Sequence, residues 1–108
     1  MRKVHSEVIN KFLSRERIRT ANFSVETKAF YLVDKPGQFE LITVLYSYGL
    51  PVAIIDSNGK KVVGNYIREI SATTTAQIRA LVKTLEDLNL DYEMMSIKDF
   101  KKFVSETI

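Results

Sequence analysis

A chain of 108 residues, 45% hydrophobic and 27% charged, is long enough to pack one domain and too apolar to stay disordered. It has no cysteine, which excludes disulfides, thiolate catalysis and cysteine metal centres. The net charge of +3 is uneven: residues 1–20 hold Arg2, Lys3, Lys11, Arg15, Arg17 and Arg19 against Glu7 and Glu16, and the rest is near neutral.

Residues 3–14 place Val4, Val8, Ile9, Phe12 and Leu13 on one helical side and Lys3, Glu7, Asn10 and Lys11 on the other. A basic amphipathic helix over 3–16 is expected, with the stretch after Leu13 either continuing it or fraying. Lys11, Arg15, Arg17 and Arg19 make a cationic end suited to nucleic acid or an acidic protein surface. Cations near a helix C-terminus also complement its dipole, a structural role that needs no ligand. The single histidine, His5, reads as a surface residue.

A strand is expected over about 22–33, best formed at 29–33. Asp34-Lys35-Pro36-Gly37-Gln38 follows as a turn, Pro setting φ and Gly taking the positive φ of a type II geometry. Phe39 to Asp56 is the densest apolar run and the expected centre of the core. At period 2, Leu41, Thr43, Leu45 and Ser47 oppose Ile42, Val44, Tyr46 and Tyr48, and both sets are apolar enough for a strand covered on both faces. A type II′ turn at Gly49-Leu50 is expected, with Pro51 opening the next strand. Asp56-Ser57-Asn58-Gly59 signals a second hairpin, and a strand from Lys61 to about Tyr66 closes a meander over roughly 22–68. Gly64 within it marks a bulge or a close approach.

Ser71-Ala72-Thr73-Thr74-Thr75 is a helix start, because hydroxyls accept from first-turn N–H groups. The helix over 74–88 carries Ile78, Leu81, Val82, Leu85 and Leu88 on one face, and Asn89 suits the position just past its end. A short strand at 91–95 and a last helix at 97–107 complete the chain. Ser96 to Asp99 resembles a capping box, Met95 and Phe100 a hydrophobic staple, and Phe100, Phe103, Val104 and Ile108 the buried side. The expected fold class is α+β: a single domain over 1–108, with an antiparallel β-meander of four to five strands packed with three amphipathic helices. Should the helices share one face, the other must meet a partner or a second copy, giving a homodimer.

Chemistry-bearing clusters are scarce. One histidine and no tight acidic group predict neither metal nor cofactor, and Ser47 has no histidine placed to act as its base. No enzyme is expected. Tyr46, Tyr48 and Tyr66 can stack on bases from a sheet, but the aromatic-rich motif of base-stacking sheets is absent, and β-propensity and packing are the preferred account. Ser71, Thr73 and Thr74 cap a helix whose N-terminus can also hold an anion. No apolar run approaches the ~20 residues of a membrane span and no signal peptide is evident, so a cytoplasmic protein with no membrane contact is expected.

Three pieces carry a resemblance: Phe23-Ser24-Val25, Leu45-Tyr46-Ser47-Tyr48-Gly49-Leu50-Pro51-Val52-Ala53, and Ser71-Ala72-Thr73-Thr74. Together, over roughly residues 22–80, they resemble an uncharacterised family of small proteins borne by phages, plasmids and other mobile elements of bacteria. The chain departs from that pattern at Leu50, where the family has Thr, at Ile70, where it has Tyr, and at Gln77, where it has His. The resemblance implies a setting: a host-cell cytoplasm, and a small protein that docks on a host protein or nucleoprotein to modulate or inhibit it, for example against a defence system. A non-catalytic binding protein is therefore expected first. The alternatives are direct DNA or RNA binding through the basic segment, and a small-molecule sensor or enzyme with a polar pocket near Tyr46, Ser47 and Thr73.

Overall fold

The computed structural model of the protein describes residues 3–31, 34 and 36–108. Its elements are α1 (Lys3–Leu13), β1 (Ile18–Arg19), β2 (Phe23–Tyr31), β3 (Phe39–Ser47), β4 (Leu50–Ile55), β5 (Lys61–Gly64), α2 (Ala72–Asp87), β6 (Glu93–Met95) and α3 (Ile97–Thr107). The strands form one sheet in sequence order, antiparallel from β1 to β5, with β6 returning parallel to β5 after α2. The α+β meander is therefore six-stranded, one strand more than expected. The addition is β1, made from the basic stretch that the helix was expected to absorb.

Register separates the two faces of the sheet. Phe23, Val25 and Thr27 oppose Ser47, Leu45 and Thr43, and Leu45 opposes Ala53, which opposes Val63. This face is covered by α1 and α2: His5 of α1 meets Phe23 edge-to-face, while Thr74 and Gln77 of α2 bond Ser47. On the other face Glu26, Val44, Ile54 and Val62 align, and α3 lies over the β5–β6 end with Phe100 against Gly64 and Tyr66. Helices on both sides explain why Val44, Leu45, Ala53 and Ile54 are all fully buried, as a two-sided apolar hairpin requires.

Several expectations are corrected. The buried stripe of α1 is His5, Val8, Ile9 and Phe12, spaced at i, i+3, i+4 and i+7, so His5 is buried and Val4 lies outside. The helix ends at Leu13, short of 16. Arg15 takes a left-handed φ of 58°, its N–H bonding Phe12 O and the Glu16 N–H bonding Lys11 O. That is a Schellman closure with Arg in the usual glycine place. The β3–β4 turn is Tyr48-Gly49, with φ of 53° and 81°, a type I′ geometry matching strand twist better than the expected type II′ at Gly49-Leu50. Leu45 faces Ala53 but Tyr46 faces Pro51, so Val52 is the extra residue of a bulge. Between β4 and β5, Gly59 alone takes the positive φ, 84°, beside a turn closed by the Gly59 N–H on Asp56 O, with the Asp56 carboxylate accepting from Asn58 and Lys60 N–H.

The caps of α2 follow the sequence: Ser71 accepts from the Thr74 N–H, starting the helix two residues early at Ala72, and Asn89 takes φ of 53° past its end. Ser96 caps α3 through the Asp99 N–H. Leu88 and Ile108 are exposed rather than buried. Gly64 is a close approach: a Cβ there would stand 2.6 Å from Phe100 Cδ2. Leu32, Val33 and Lys35 of the expected strand and turn, and Arg2 of the basic end, lie outside the described residues, while Gly37 has φ of 81° as its turn requires.

Candidate docking surface

The apolar run centred on β3 is buried only in part. β4 ends at Ile55, opposite Thr43, so β3 continues over residues 39–42 with β2 as its only strand neighbour among the described residues. There β2 and β3 run on as a two-stranded ribbon in which Ile42 is still buried but the side chains beyond it lose cover. Phe39 is 53% exposed, Phe30 and Leu41 each 37%. Phe39 and Leu41 share one face with Ala29, while Phe30 lies on the other beside Lys28 and Glu40. Phe39 and Leu41, two residues apart on one face, differ from the single exposed apolar residues that every surface carries.

Arg15 anchors the ribbon's root. Its guanidinium donates from Nη1 to Leu41 O at 3.0 Å and from Nη2 to Asp56 O, bridging β3 and β4 where they part. With Phe39, Leu41, Ser57 and Asn58 it lines a shallow concavity. The left-handed backbone at Arg15 aims that side chain, so helix end and ribbon are fixed together.

The other basic residues are also engaged. Arg17 and Arg19 share Glu26, at 3.2 and 3.5 Å, on the face of β2 that α3 leaves to the edge strands. Lys11 meets Glu16 at 3.5 Å; the Ser14 hydroxyl, and next Lys11, hold the Glu16 carboxyl below its usual range. Arg17 and Arg19 thus stand together at the edge formed by β1 and β2 with Glu26 between them, while Arg15 reaches the opening between β3 and β4 and Lys11 stays with Glu16 at the end of α1.

The tyrosines do not form one platform. Tyr46 sits half-buried on the Glu26 face, its phenol pushed up by burial and then by that carboxylate. Tyr48 is exposed at the hairpin tip, its phenol drawn down by a bond from Thr73 and another from Asn22. Tyr66, expected as a surface contact, is 3% exposed, because the chain folds back after Gly64 and sets its ring edge-on to Phe100 at 6.1 Å.

The pieces carrying the sequence resemblance do assemble. Ser71 donates to Thr74 Oγ1, Thr74 shares a 2.8 Å bond with Ser47 Oγ, Ser47 donates to Gln77 Oε1, and the Gln77 amide donates to Asn22 O. Since Ser47 donates to Gln77, the Thr74 proton must point to Ser47, so the chain runs in one direction. Ser47, Thr74 and Gln77 are each at most 2% exposed, and among the described residues no buried side-chain polar atom lacks a partner. Tyr46 stands on the opposite sheet face from Ser47, so Tyr46, Ser47 and Thr73 do not gather around one pocket. Asn22 and Gln77 were absent from the sequence-based site, since only the tertiary fold shows what a lone amide meets.

Among the described residues no three His, Asp or Glu side chains converge as a metal ion requires, and no helix is long and apolar enough to cross a membrane. Comparison with protein-family models, with characterised proteins and with solved structures finds no match to this chain.

Proposed function

We infer that this is a non-catalytic binding protein of phage or mobile-element type, which docks on a bacterial host protein or nucleoprotein through the exposed apolar residues of the β2–β3 ribbon and modulates or inhibits it. The observation that carries the reading is the exposure of Phe39 and Leu41 on one face, and of Phe30 on the other, of a ribbon whose next β3 residues, Ile42 to Leu45, are buried. Such residues cost solubility when left in water and are favourable once a partner covers them. The test is capture from bacterial lysate by the immobilised chain and by a Phe39→Ser, Leu41→Ser variant. Both positions are exposed, so the variant should keep its fold. A partner recovered by the parent and lost by the variant is expected; equal recovery by both refutes the assignment.

A nucleic-acid reading keeps one specific observation: Arg17 and Arg19 share a single carboxylate, leaving positive charge along β1. It requires DNA or RNA affinity that falls steeply with salt and weakens in an Arg17→Ala, Arg19→Ala variant regardless of sequence.

A further inference from the structure

Among the described residues, the outer edge of β2 beyond Val25 has no strand beside it, since β1 pairs only with Ser24 and Val25. Which main-chain groups face that edge follows from the ladder. The Tyr48 N–H bonds Asn22 O at 3.1 Å, marking the 22–48 pair as hydrogen-bonded. Thr27 and Thr43 join hydroxyls at 3.0 Å, as the close side chains of a non-hydrogen-bonded pair do. Even-numbered residues of β2 therefore bond β3, and Thr27 and Ala29 turn their N–H and C=O outward, where neither has a main-chain partner among the described residues. The Thr27 hydroxyl bonds Arg15 O, so the end of α1 sits where a strand entering in line with β1 would begin.

Cations outnumber carboxylates along this edge: Arg17, Arg19 and Lys28 flank it, against Glu26, which the two arginines share, and Glu16, which Lys11 engages. A second copy would set the same cations against these, and like charges placed across a strand pair are destabilising. An acidic strand meets the opposite situation. We propose that the outer edge of β2 at residues 27–29 takes an extended peptide segment of the partner as an added antiparallel or parallel strand, alternating acidic and apolar residues. This rests on the docking reading above and adds to it the chemistry of the partner segment. The outward groups of Thr27 and Ala29 supply the main-chain bonds, Arg17, Arg19 and Lys28 meet the acidic side chains, and the ribbon's apolar residues meet the others.

The experiment is selection of short random peptides on the immobilised chain, followed by anisotropy titration of one selected peptide. Enrichment of alternating acidic and apolar sequences is expected, with affinity falling as salt rises. Ala29→Pro removes an outward N–H while leaving the bonds to β3, and should weaken binding by about tenfold or more. Lys28→Glu changes only an exposed side chain, and should turn the selection toward basic peptides. Should Ala29→Pro fail to fold, Lys28→Glu decides alone. Peptides without acidic enrichment, or with affinity indifferent to the variants, overturn the proposal. So does a dimer by light scattering that Ala29→Pro dissolves, because the edge then belongs to a second copy. Binding that needs Phe39 and Leu41 but ignores Ala29→Pro also overturns it while leaving the docking reading intact; loss of dependence on Phe39 and Leu41 in lysate capture is the separate failure of that reading.

Discussion

Gly64→Ala should destabilise this protein although alanine suits a strand better than glycine. A Cβ at that position would stand 2.6 Å from Phe100 Cδ2, 2.8 Å from Phe100 Cγ and 2.9 Å from Tyr66 Cε2. Phe100 has no exposed surface and is held edge-on by Tyr66, with an 88° interplanar angle, so neither ring can turn aside freely. Overpacking of this kind costs about 1–3 kcal/mol. The stiffer unfolded chain of an alanine variant returns about 0.4–1 kcal/mol, since Gly64 does not adopt a positive φ. A net loss of about 1–2 kcal/mol is expected, read from the urea midpoint at unchanged slope. Phe100→Leu in the Gly64→Ala background should cost less than the two changes taken separately, because the leucine vacates the contested space. An unaltered or higher midpoint in Gly64→Ala would refute the claim that α3 is seated on this glycine.

Ser47→Ala should cost about 1–3 kcal/mol, because it leaves the Thr74 hydroxyl and Gln77 Oε1 buried without their partner; a variant as stable as the parent by urea unfolding would break the one-directional chain. Arg15→Ala should lower stability by about 1–3 kcal/mol through the lost bonds to Leu41 and Asp56 carbonyls, and Arg15→Gly should lose less, since glycine accepts the 58° φ; the opposite order in unfolding midpoints would contradict the clamp. The phenols should ionise in sequence under ultraviolet titration, Tyr48 below the ordinary range and Tyr46 and Tyr66 above it, with the first step missing in Tyr48→Phe. Because Tyr46 and Tyr66 are raised in the folded state, their contribution is complete below a pH of about 10 and is lost as pH rises through their folded values, while Tyr48 acts in the opposite sense; stability rising throughout that alkaline window would contradict the burial of Tyr66.

Local chemistry made much of this fold legible. Ser71 and Ser96 cap their helices because hydroxyls do so wherever a helix opens after them, and Asn89 closes α2 because it tolerates the left-handed region. The two-sided burial of Val44 and Leu45 and of Val52 to Ile55 follows from apolar residues at both parities. What escaped depended on distant partners. The helix phase slipped because His5 gains a ring neighbour in Phe23, 18 positions along, while Val4 finds none to bury it. The turn at Tyr48-Gly49 was missed because glycine suits either turn type, and the choice depends on a strand pairing with a bulge in it. Phe39 and Leu41 looked like core; their exposure follows from where β4 stops, which composition does not encode. The basic segment was visible as charge, but its use of Glu26 and of two carbonyls was not.

The most direct test of the docking account is photo-crosslinking in living bacteria with a benzophenone side chain placed once at Phe30 and once at Lys83, an exposed residue on α2. Covalent capture of one bacterial protein from the Phe30 position, absent from the Lys83 position, is the predicted result. Crosslinks that are equal at both positions, or that reach only nucleic acid, would contradict it.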